Sequence, residues 1–244
     1  RAIPLLPTEC WLFLFFVSGN LFITSYKPYT LLLAGYASIL YIVTRNTTKT
    51  VWYTLLGSLL FFKAKYFTIP YISQFAVSHG LERDTPFVYY IAFWEILLAV
   101  VAYLLIRNRR QLNIKKPILI EFVLLVILLI VGTLSSIQSS FSSVSWFSLW
   151  KIFEYIVLFF TSVIILSDTK VLRITLITLL LFIFFNSSLI ILQYISGGPI
   201  GITLEDVSTG LFGRFADELP GLYRPGGIYF EPNMPAALIN LVLP

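Results

Sequence analysis

The sequence predicts an all-α polytopic transmembrane helix bundle with about eight spans. Of the 244 residues, 58% are hydrophobic and only 12% are charged, which leaves too few polar side chains to cover a soluble surface. The apolar residues also fall into runs close to the roughly 20 residues that a helix needs to cross about 30 Å of hydrocarbon. We therefore expect residues 1–244 to form a single integral membrane domain.

Eight apolar segments carry this prediction, and we take them in chain order. They are approximately residues 9–26, 28–44, 51–69, 86–106, 117–134, 150–167, 172–195 and a last segment that begins near 233. The ten residues from Pro235 to Pro244 rise about 15 Å as a helix, which is about half of the hydrocarbon thickness. We therefore expect a chain truncated at its C-terminus, the N-terminal part of a longer protein.

Basic residues predict how the spans are oriented. Arg45 and Lys49 fall in one connection, Lys170 and Arg173 in another, and a basic cluster lies between them at 107–116. Lysine and arginine are enriched in cytoplasmic loops, so these connections and the N-terminus are predicted to be cytoplasmic. The net charge of +5 is thereby explained by topology, and we expect membrane lipid and no nucleic acid as a partner.

The opposite, extracytoplasmic side then receives three connections. These are residues 70–85, the serine-rich stretch 135–146 and the long loop 197–232. Metal and redox chemistry are not expected anywhere in the chain. Its one cysteine, Cys10, and its one histidine, His79, cannot form a disulfide within the chain or a typical zinc site.

The sequence "YRPGGIYFEPN" at the end of the long loop has the features of an anion site. Pro225 favours an extended backbone at Arg224, and Gly226 and Gly227 allow a ligand to approach the main chain closely. A guanidinium over exposed amide groups suits a phosphate, which it can hold through two parallel hydrogen bonds. Asn233 would cap the following helix, whose positive end would face the same cavity.

A structural alternative for the same segment stays open. Arg224 could pair with a nearby carboxylate, which would make the segment a tight re-entrant turn rather than a binding site. The candidate carboxylates are those of Asp217, Glu218 and Glu231.

Two predicted spans carry charged residues that also allow two interpretations. Lys151 and Glu154 lie three residues apart beside Trp146 and Trp150, as a local ion pair in an aromatic belt would. Alternatively, Lys151 joins the phosphate site. Glu95 falls near the middle of its predicted span, where we expect it to be neutral, paired or facing water.

The order of residues in the loop resembles a known signature. The pattern R-x-x-G-x-x-x-x-P-N-x-x-A, present as Arg224, Gly227, Pro232, Asn233 and Ala236, is similar to that of the O-antigen ligase and Wzy-type O-antigen polymerase superfamily of bacterial membrane glycosyltransferases. The serine-rich outer stretch, "SLWKIFEYIVLF" and "NSSLIILQYISGG" resemble the family's upstream arrangement. The resemblance covers roughly residues 117–244.

This resemblance implies a metal-independent, inverting glycosyltransferase of cell envelope biogenesis, without a cofactor. The donor would be an undecaprenyl-diphosphate-linked glycan, and the acceptor a hydroxyl of a glycan, lipid or other molecule, at the outer face of the bacterial cytoplasmic (inner) membrane. Arg224 would bind the diphosphate and Arg214 and Lys151 would assist. Gly226, Gly227 and Asn233 would shape the site.

Some parts of the reaction, and the class of protein itself, stay open. The family's ligases use a histidine in a later outer loop, which would lie beyond Pro244, and His79 does not match it. The general base and the choice between ligase and polymerase are therefore unassigned. A transporter or lipid-carrier flippase is the main alternative, because broken helices and intramembrane charges also occur there. A membrane scaffold is a third.

Overall fold

The computed structural model describes residues 6–21, 23, 26–60, 66–68, 90–107, 116–138, 142–197 and 200. Over these residues the chain is helical, as predicted, with one short pair of strands. The seven helices are α1 (Thr8–Asn20), α2 (Tyr26–Thr44), α3 (Thr47–Leu60), α4 (Phe93–Arg107), α5 (Lys116–Gln138), α6 (Ser142–Ile165) and α7 (Thr169–Ser196). Strands β1 (Tyr66–Thr68) and β2 (Tyr90–Ala92) pair antiparallel, with Tyr66 opposite Ala92.

The strands correct two of the predicted spans. Segments 51–69 and 86–106 were each expected to be one continuous helix. Instead, α3 ends at Leu60 and β1 follows, while β2 precedes α4. Both strands are rich in aromatic and β-branched residues, which fit a pleated backbone, and hydrophobicity alone does not distinguish a short apolar strand from a helix.

Two of the described helices are long and apolar enough to cross a membrane. They are α6, over Ser148–Ile165, and α7, over Thr169–Ser196. Of the residues in these two segments, 22% and 33% are buried, and several large apolar side chains of both helices are exposed.

The predicted count of eight spans is not supported by the described helices. Helices α1, α3 and α4 have 13, 14 and 15 residues, which corresponds to about 20 to 23 Å at 1.5 Å per residue, less than the hydrocarbon thickness. Helix α5 has 23 residues, and its apolar part is Val123–Gln138. The eighth segment, which begins near 233, lies outside the described residues.

The described residues form two compact units. Unit 1 holds those up to Leu60 and those from Leu172 onward, and unit 2 holds those from Tyr66 to Val171. Unit 1 is built on aromatic contacts. Phe16 stacks on Tyr36 with ring centroids 4.5 Å apart, and Phe13 meets Phe182 edge to face at 6.5 Å.

Small and hydroxyl-bearing residues let the helices of unit 1 approach one another. A Cβ atom at Gly57 would lie 3.1 Å from Phe16 Cε1, so a glycine leaves room for the aromatic stack. The buried indole N–H of Trp52 donates a hydrogen bond of 3.0 Å to Thr175 Oγ1. This bond joins α3 to α7 across 123 residues of sequence.

A tight turn joins α2 to α3 at the predicted basic connection. Arg45 adopts the left-handed conformation with φ 52°, which reverses the chain within two residues. Asn46 then accepts a hydrogen bond of 3.0 Å from the backbone N–H of Lys49 and caps α3. The hydroxyls of Thr44 and Thr50 hydrogen-bond each other across the turn at 2.9 Å.

Unit 2 contains the strand pair, α4 and a hairpin of α5 and α6. A Cβ atom at Gly132 would lie 2.8 Å from Leu149 Cδ1, so α5 and α6 are in close contact. The serine-rich stretch 135–146, expected to be a loop, is mostly helical, because α5 continues to Gln138 and α6 begins at Ser142. Ser136 donates to the carbonyl of Gly132, which satisfies its hydroxyl within the helix.

We expect the substitution Trp52→Phe to lower the free energy of unfolding by about 1 to 2 kcal/mol, because it leaves the buried Thr175 hydroxyl without the indole donor. Thr175→Val should have a similar effect. Unfolding of the purified protein in a denaturing detergent would measure both. Ser38→Ala is the control, since that exposed hydroxyl bonds to its own helix. A loss of unfolding free energy in the control as large as that in Trp52→Phe would contradict this account.

Candidate functional site

One of the six predicted site residues, Lys151, lies within the described part of the chain. The other five are Arg214, Arg224, Gly226, Gly227 and Asn233, and all of them lie outside the described residues. His79 and nearly all of the loop 197–232 lie outside as well. The phosphate site predicted from the loop therefore stays a prediction.

Lys151 forms the centre of a buried charged cluster, which we call the ion triad: Lys151, Glu95 and Glu154. Its ammonium donates to Glu95 Oε1 on α4 and, at 3.0 Å, to Glu154 Oε2 one turn along α6. The side chains of the three residues are 18%, 7% and 6% exposed, respectively. The ion triad joins α4 to α6 through charges that water barely reaches.

Aromatic rings lie beside the ion triad. The Lys151 ammonium is 6.0 Å from the ring centroid of Trp94, at the outer limit of a cation–π contact. Trp150 packs against Phe153 with centroids 5.6 Å apart, and both rings are exposed. The predicted local pair of Lys151 and Glu154 beside tryptophan is present, and it is part of a larger cluster.

Glu95 lies at a different position in its helix from the one expected. The sequence placed it near the middle of a span, but α4 begins at Phe93, so Glu95 is in the first turn of the helix. There the unsatisfied N–H groups at the positive end of the helix favour a carboxylate. Of the three outcomes expected for Glu95, the structure has it paired, with Lys151.

The charges of the ion triad decide what it can do chemically. Two carboxylates face one ammonium, so when all three groups are ionised the cluster carries one net negative charge. An incoming anion would have to displace a carboxylate from Lys151 or meet a protonated one. In this arrangement Lys151 links two helices, and its predicted role in binding diphosphate stays a prediction.

The sequence analysis missed the pairing of Glu95 with Lys151. The two residues are 56 positions apart, and no sequence periodicity relates them. A signal was nevertheless present, because a carboxylate inside an apolar segment needs a cationic partner. Lys151 lies inside another predicted span, so pairing this lysine with Glu95 would have suggested the contact.

The hairpin of α5 and α6 also carries an open apolar groove with a volume of about 460 Å³. It is lined by Glu121, Leu124, Leu125, Leu128, Ile152, Tyr155, Ile156 and Phe159. At 100° per residue, the lining residues of α6 lie on a different face from Lys151 and Glu154. The groove is therefore separate from the ion triad and offers hydrocarbon rather than polar chemistry.

No cluster of three or more histidine, cysteine, aspartate or glutamate side chains with metal-binding geometry occurs among the described residues. Comparison with known proteins adds no assignment. No protein-family model matches the chain, and no curated protein or solved structure matches it significantly.

Removing the cation of the ion triad should destabilise the protein strongly. Lys151→Met leaves two largely buried carboxylates without their shared counter-charge, and we expect the free energy of unfolding to fall by about 3 kcal/mol. Lys170→Met is the matched control, because that lysine is exposed. Unfolding in a denaturing detergent would measure both variants.

A triple variant separates lost charge from lost packing. Adding Glu95→Gln and Glu154→Gln to Lys151→Met removes both unpaired charges, so most of the lost stability should return. A single variant as stable as the control, or a triple variant no more stable than the single one, would show that the ion pairs do not hold α4 against α6.

Proposed function

We propose that the chain is the membrane-embedded part of a glycosyltransferase of the O-antigen ligase or polymerase type. It would transfer a glycan from an undecaprenyl-diphosphate carrier to a hydroxyl acceptor at the outer face of the cytoplasmic membrane. The observation that carries the proposal is the spacing of Arg224, Gly227, Pro232, Asn233 and Ala236. The apolar composition and the exposed apolar helices α6 and α7 are compatible with such a location.

The proposed reaction makes defined demands on the protein. The acceptor oxygen forms a bond to C1 of the donor sugar while the bond from C1 to the diphosphate oxygen breaks. The acceptor proton passes to a base, and the diphosphate leaves with the bonding electron pair. Positive groups must stabilise the charge that develops on this leaving group. No residue described here is assigned as the base.

Arginines can supply the positive charge without a metal ion. Arg224 would grip the diphosphate through two hydrogen bonds, as a planar guanidinium can. Arg214 would assist from the same loop. Lys151 would assist once it had exchanged a carboxylate of the ion triad for a phosphate oxygen. Gly226, Gly227 and Asn233 would shape the loop around the ligand.

The proposal includes a multi-pass topology in the bacterial inner membrane with a cytoplasmic N-terminus. The apolar segments shorter than about 20 residues would cross with help from adjacent turns or a locally thinner bilayer. The distribution of the basic residues supports this orientation: Arg45, Lys49 and Arg173 mark the cytoplasmic ends.

Cysteine labelling tests the orientation. Thr47 and Gln138 are exposed and would face opposite sides, whereas Cys10 is buried and contributes little background. We expect Gln138→Cys to react with a membrane-impermeant maleimide in intact spheroplasts, and Thr47→Cys to react only after permeabilisation. The reverse pattern would invert the topology, and labelling of both sites in intact cells would contradict it.

The glycosyl transfer itself is tested on the full-length protein in nanodiscs. A fluorescent undecaprenyl-diphosphate oligosaccharide would be followed for binding and for transfer without added metal. We expect Arg224→Ala to lower the transfer rate about 10²- to 10³-fold. Arg224→Lys should also lower the rate, because a lysine cannot make the bidentate contact.

The control for this experiment is Arg107→Ala, which removes an exposed arginine at the end of α4 and should leave the transfer rate unchanged. Each variant must also match the wild type in its unfolding curve. Transfer that persists at the wild-type rate without the Arg224 side chain, or no transfer by the wild type, would overturn the proposal.

The ion triad favours a second candidate, a membrane transporter or lipid-carrier flippase. Charged residues inside membrane segments often mark the path of an ion or substrate. The position of Glu95 in the first turn of α4 is less typical of a site at the membrane midplane. Proteoliposomes loaded with a fluorescent lipid diphosphate would separate the two candidates. If the wild type flips the lipid across the bilayer without transferring glycan, and if Glu95→Gln abolishes this flipping, the result would favour transport.

A further inference from the structure

Three helices of unit 1 begin at the same end. Cys10 contacts Thr178 and Phe13 contacts Phe182, so α1 and α7 run parallel. Helix α2 runs antiparallel to α1, since Leu32 lies next to Gly19 while Tyr36 stacks on Phe16. The turn at Arg45 reverses the chain again into α3. The starts of α1, α3 and α7 therefore share one end with the α2–α3 turn.

Basic residues gather at this end, and we call Arg45, Lys49 and Arg173 the basic end. Lys49 is three residues before Trp52, and Arg173 is two residues before Thr175. The hydrogen bond between Trp52 and Thr175 therefore places both cations within about 5 Å, along their helix axes, of one contact point. Two connections far apart in sequence meet here.

The basic end carries excess positive charge. Among the described residues of unit 1, one acidic residue, Glu9, lies at this end against the three cations. The start of α7 adds one charge of each sign, from Lys170 and from Asp168, which caps the helix. Arg45 and Arg173 are exposed, and neither is in an ion pair with a described carboxylate. The opposite end has one described cation, Lys27. The charge is thus concentrated at one end rather than spread around the unit.

Exposed apolar side chains lie close in sequence to these cations on α2 and on α7, and we call each of the two sets an apolar band. On α2, the three residues Tyr41, Ile42 and Val43 are exposed just before the turn. On α7, Leu172 and Leu176 are exposed beside Arg173. A soluble anion such as inorganic phosphate would contact the cations but not the apolar side chains. A phospholipid would contact both, with its phosphate at the cations and its acyl chains along an apolar band.

The backbone at Arg45 adds an independent argument. Its left-handed conformation suits glycine or asparagine and is unfavourable for a long side chain. The geometry of the turn therefore does not account for an arginine at this position. An arginine kept in this conformation despite the energetic cost suggests that its charge has a function. The Asn46 cap and the hydrogen bond between Thr44 and Thr50 hold the turn in place.

We propose that the basic end of unit 1 is a binding site for the phosphate headgroup of an anionic phospholipid, with the acyl chains along the apolar band of α2 or that of α7. The two arginines provide the hydrogen bonds to phosphate, and Lys49 adds charge. The site does not depend on glycosyl transfer. It would bind lipid whether the protein is a transferase, a transporter or a scaffold.

Native mass spectrometry of the full-length protein in detergent tests the proposal. Phosphatidylglycerol and phosphatidylcholine with identical acyl chains would be titrated separately. We expect phosphatidylglycerol to bind more tightly. The variant Arg45→Asn with Arg173→Gln should weaken its binding roughly tenfold, because each cation near an anionic headgroup contributes to affinity. Asparagine is chosen because it accepts the left-handed turn.

Matched variants keep the test independent of folding. Lys27→Gln removes one charge at the opposite end and should leave binding unchanged, whereas Arg173→Gln alone should weaken it. Replacing both arginines with lysine keeps the charges and should retain most of the affinity if the site forms. Unfolding curves would confirm that each variant is folded.

Three outcomes would overturn the proposal. The first is equal binding of the two lipids by the wild type. The second is a loss of phosphatidylglycerol affinity in Lys27→Gln as large as the loss in Arg173→Gln, which would indicate a general attraction by net charge. The third is competition by soluble glycerol phosphate at concentrations comparable to those of the lipid, which would indicate a site for a free phosphate.

Discussion

Internal satisfaction of polar groups is the constraint on which the described structure depends. A protein whose outer surface is largely apolar cannot leave a buried donor, acceptor or charge for water to solvate. The helices meet this constraint in three ways: serine and threonine hydroxyls bond back to their own helix, the Trp52 indole bonds to Thr175, and the ion triad gathers three charges in one place. The Trp52–Thr175 bond and the ion triad also fix which helices lie side by side.

The two units use different solutions, with different consequences. Unit 1 is held by stacked rings and by a neutral hydrogen bond between distant segments. Its described charges lie at its ends, where a lipid headgroup could reach them. Unit 2 buries charged groups between α4 and α6. The desolvation cost of these charges is offset only while all three partners remain. The ion triad joins one position of α4 to two positions of α6.

Lys151 connects the structural account with the functional one. As the shared partner of Glu95 and Glu154 it stabilises unit 2, and as the basic residue opening "KIFEYIVLF" it belongs to the pattern that suggested a glycosyltransferase. The two roles compete for one ammonium. A ligand phosphate that drew Lys151 away would leave a carboxylate without its partner, so binding would be coupled to the packing of α4 against α6. The same competition would apply to an ion in a transporter.

The sequence by itself determined the helical class, the apolar surface and the approximate positions of α2, α5 and α7, because hydrophobicity and length are local properties of the chain. It also identified Lys151 and the short-range contact with Glu154, since residues three apart on a helix are neighbours. It could not distinguish the strands at 66–68 and 90–92 from helix, because both are apolar runs. It also could not fix the start of α4. Only the tertiary structure decided that Glu95 pairs with Lys151 and that the Trp52 indole bonds to Thr175. Those contacts join residues far apart in sequence, and they depend on how whole helices are arranged.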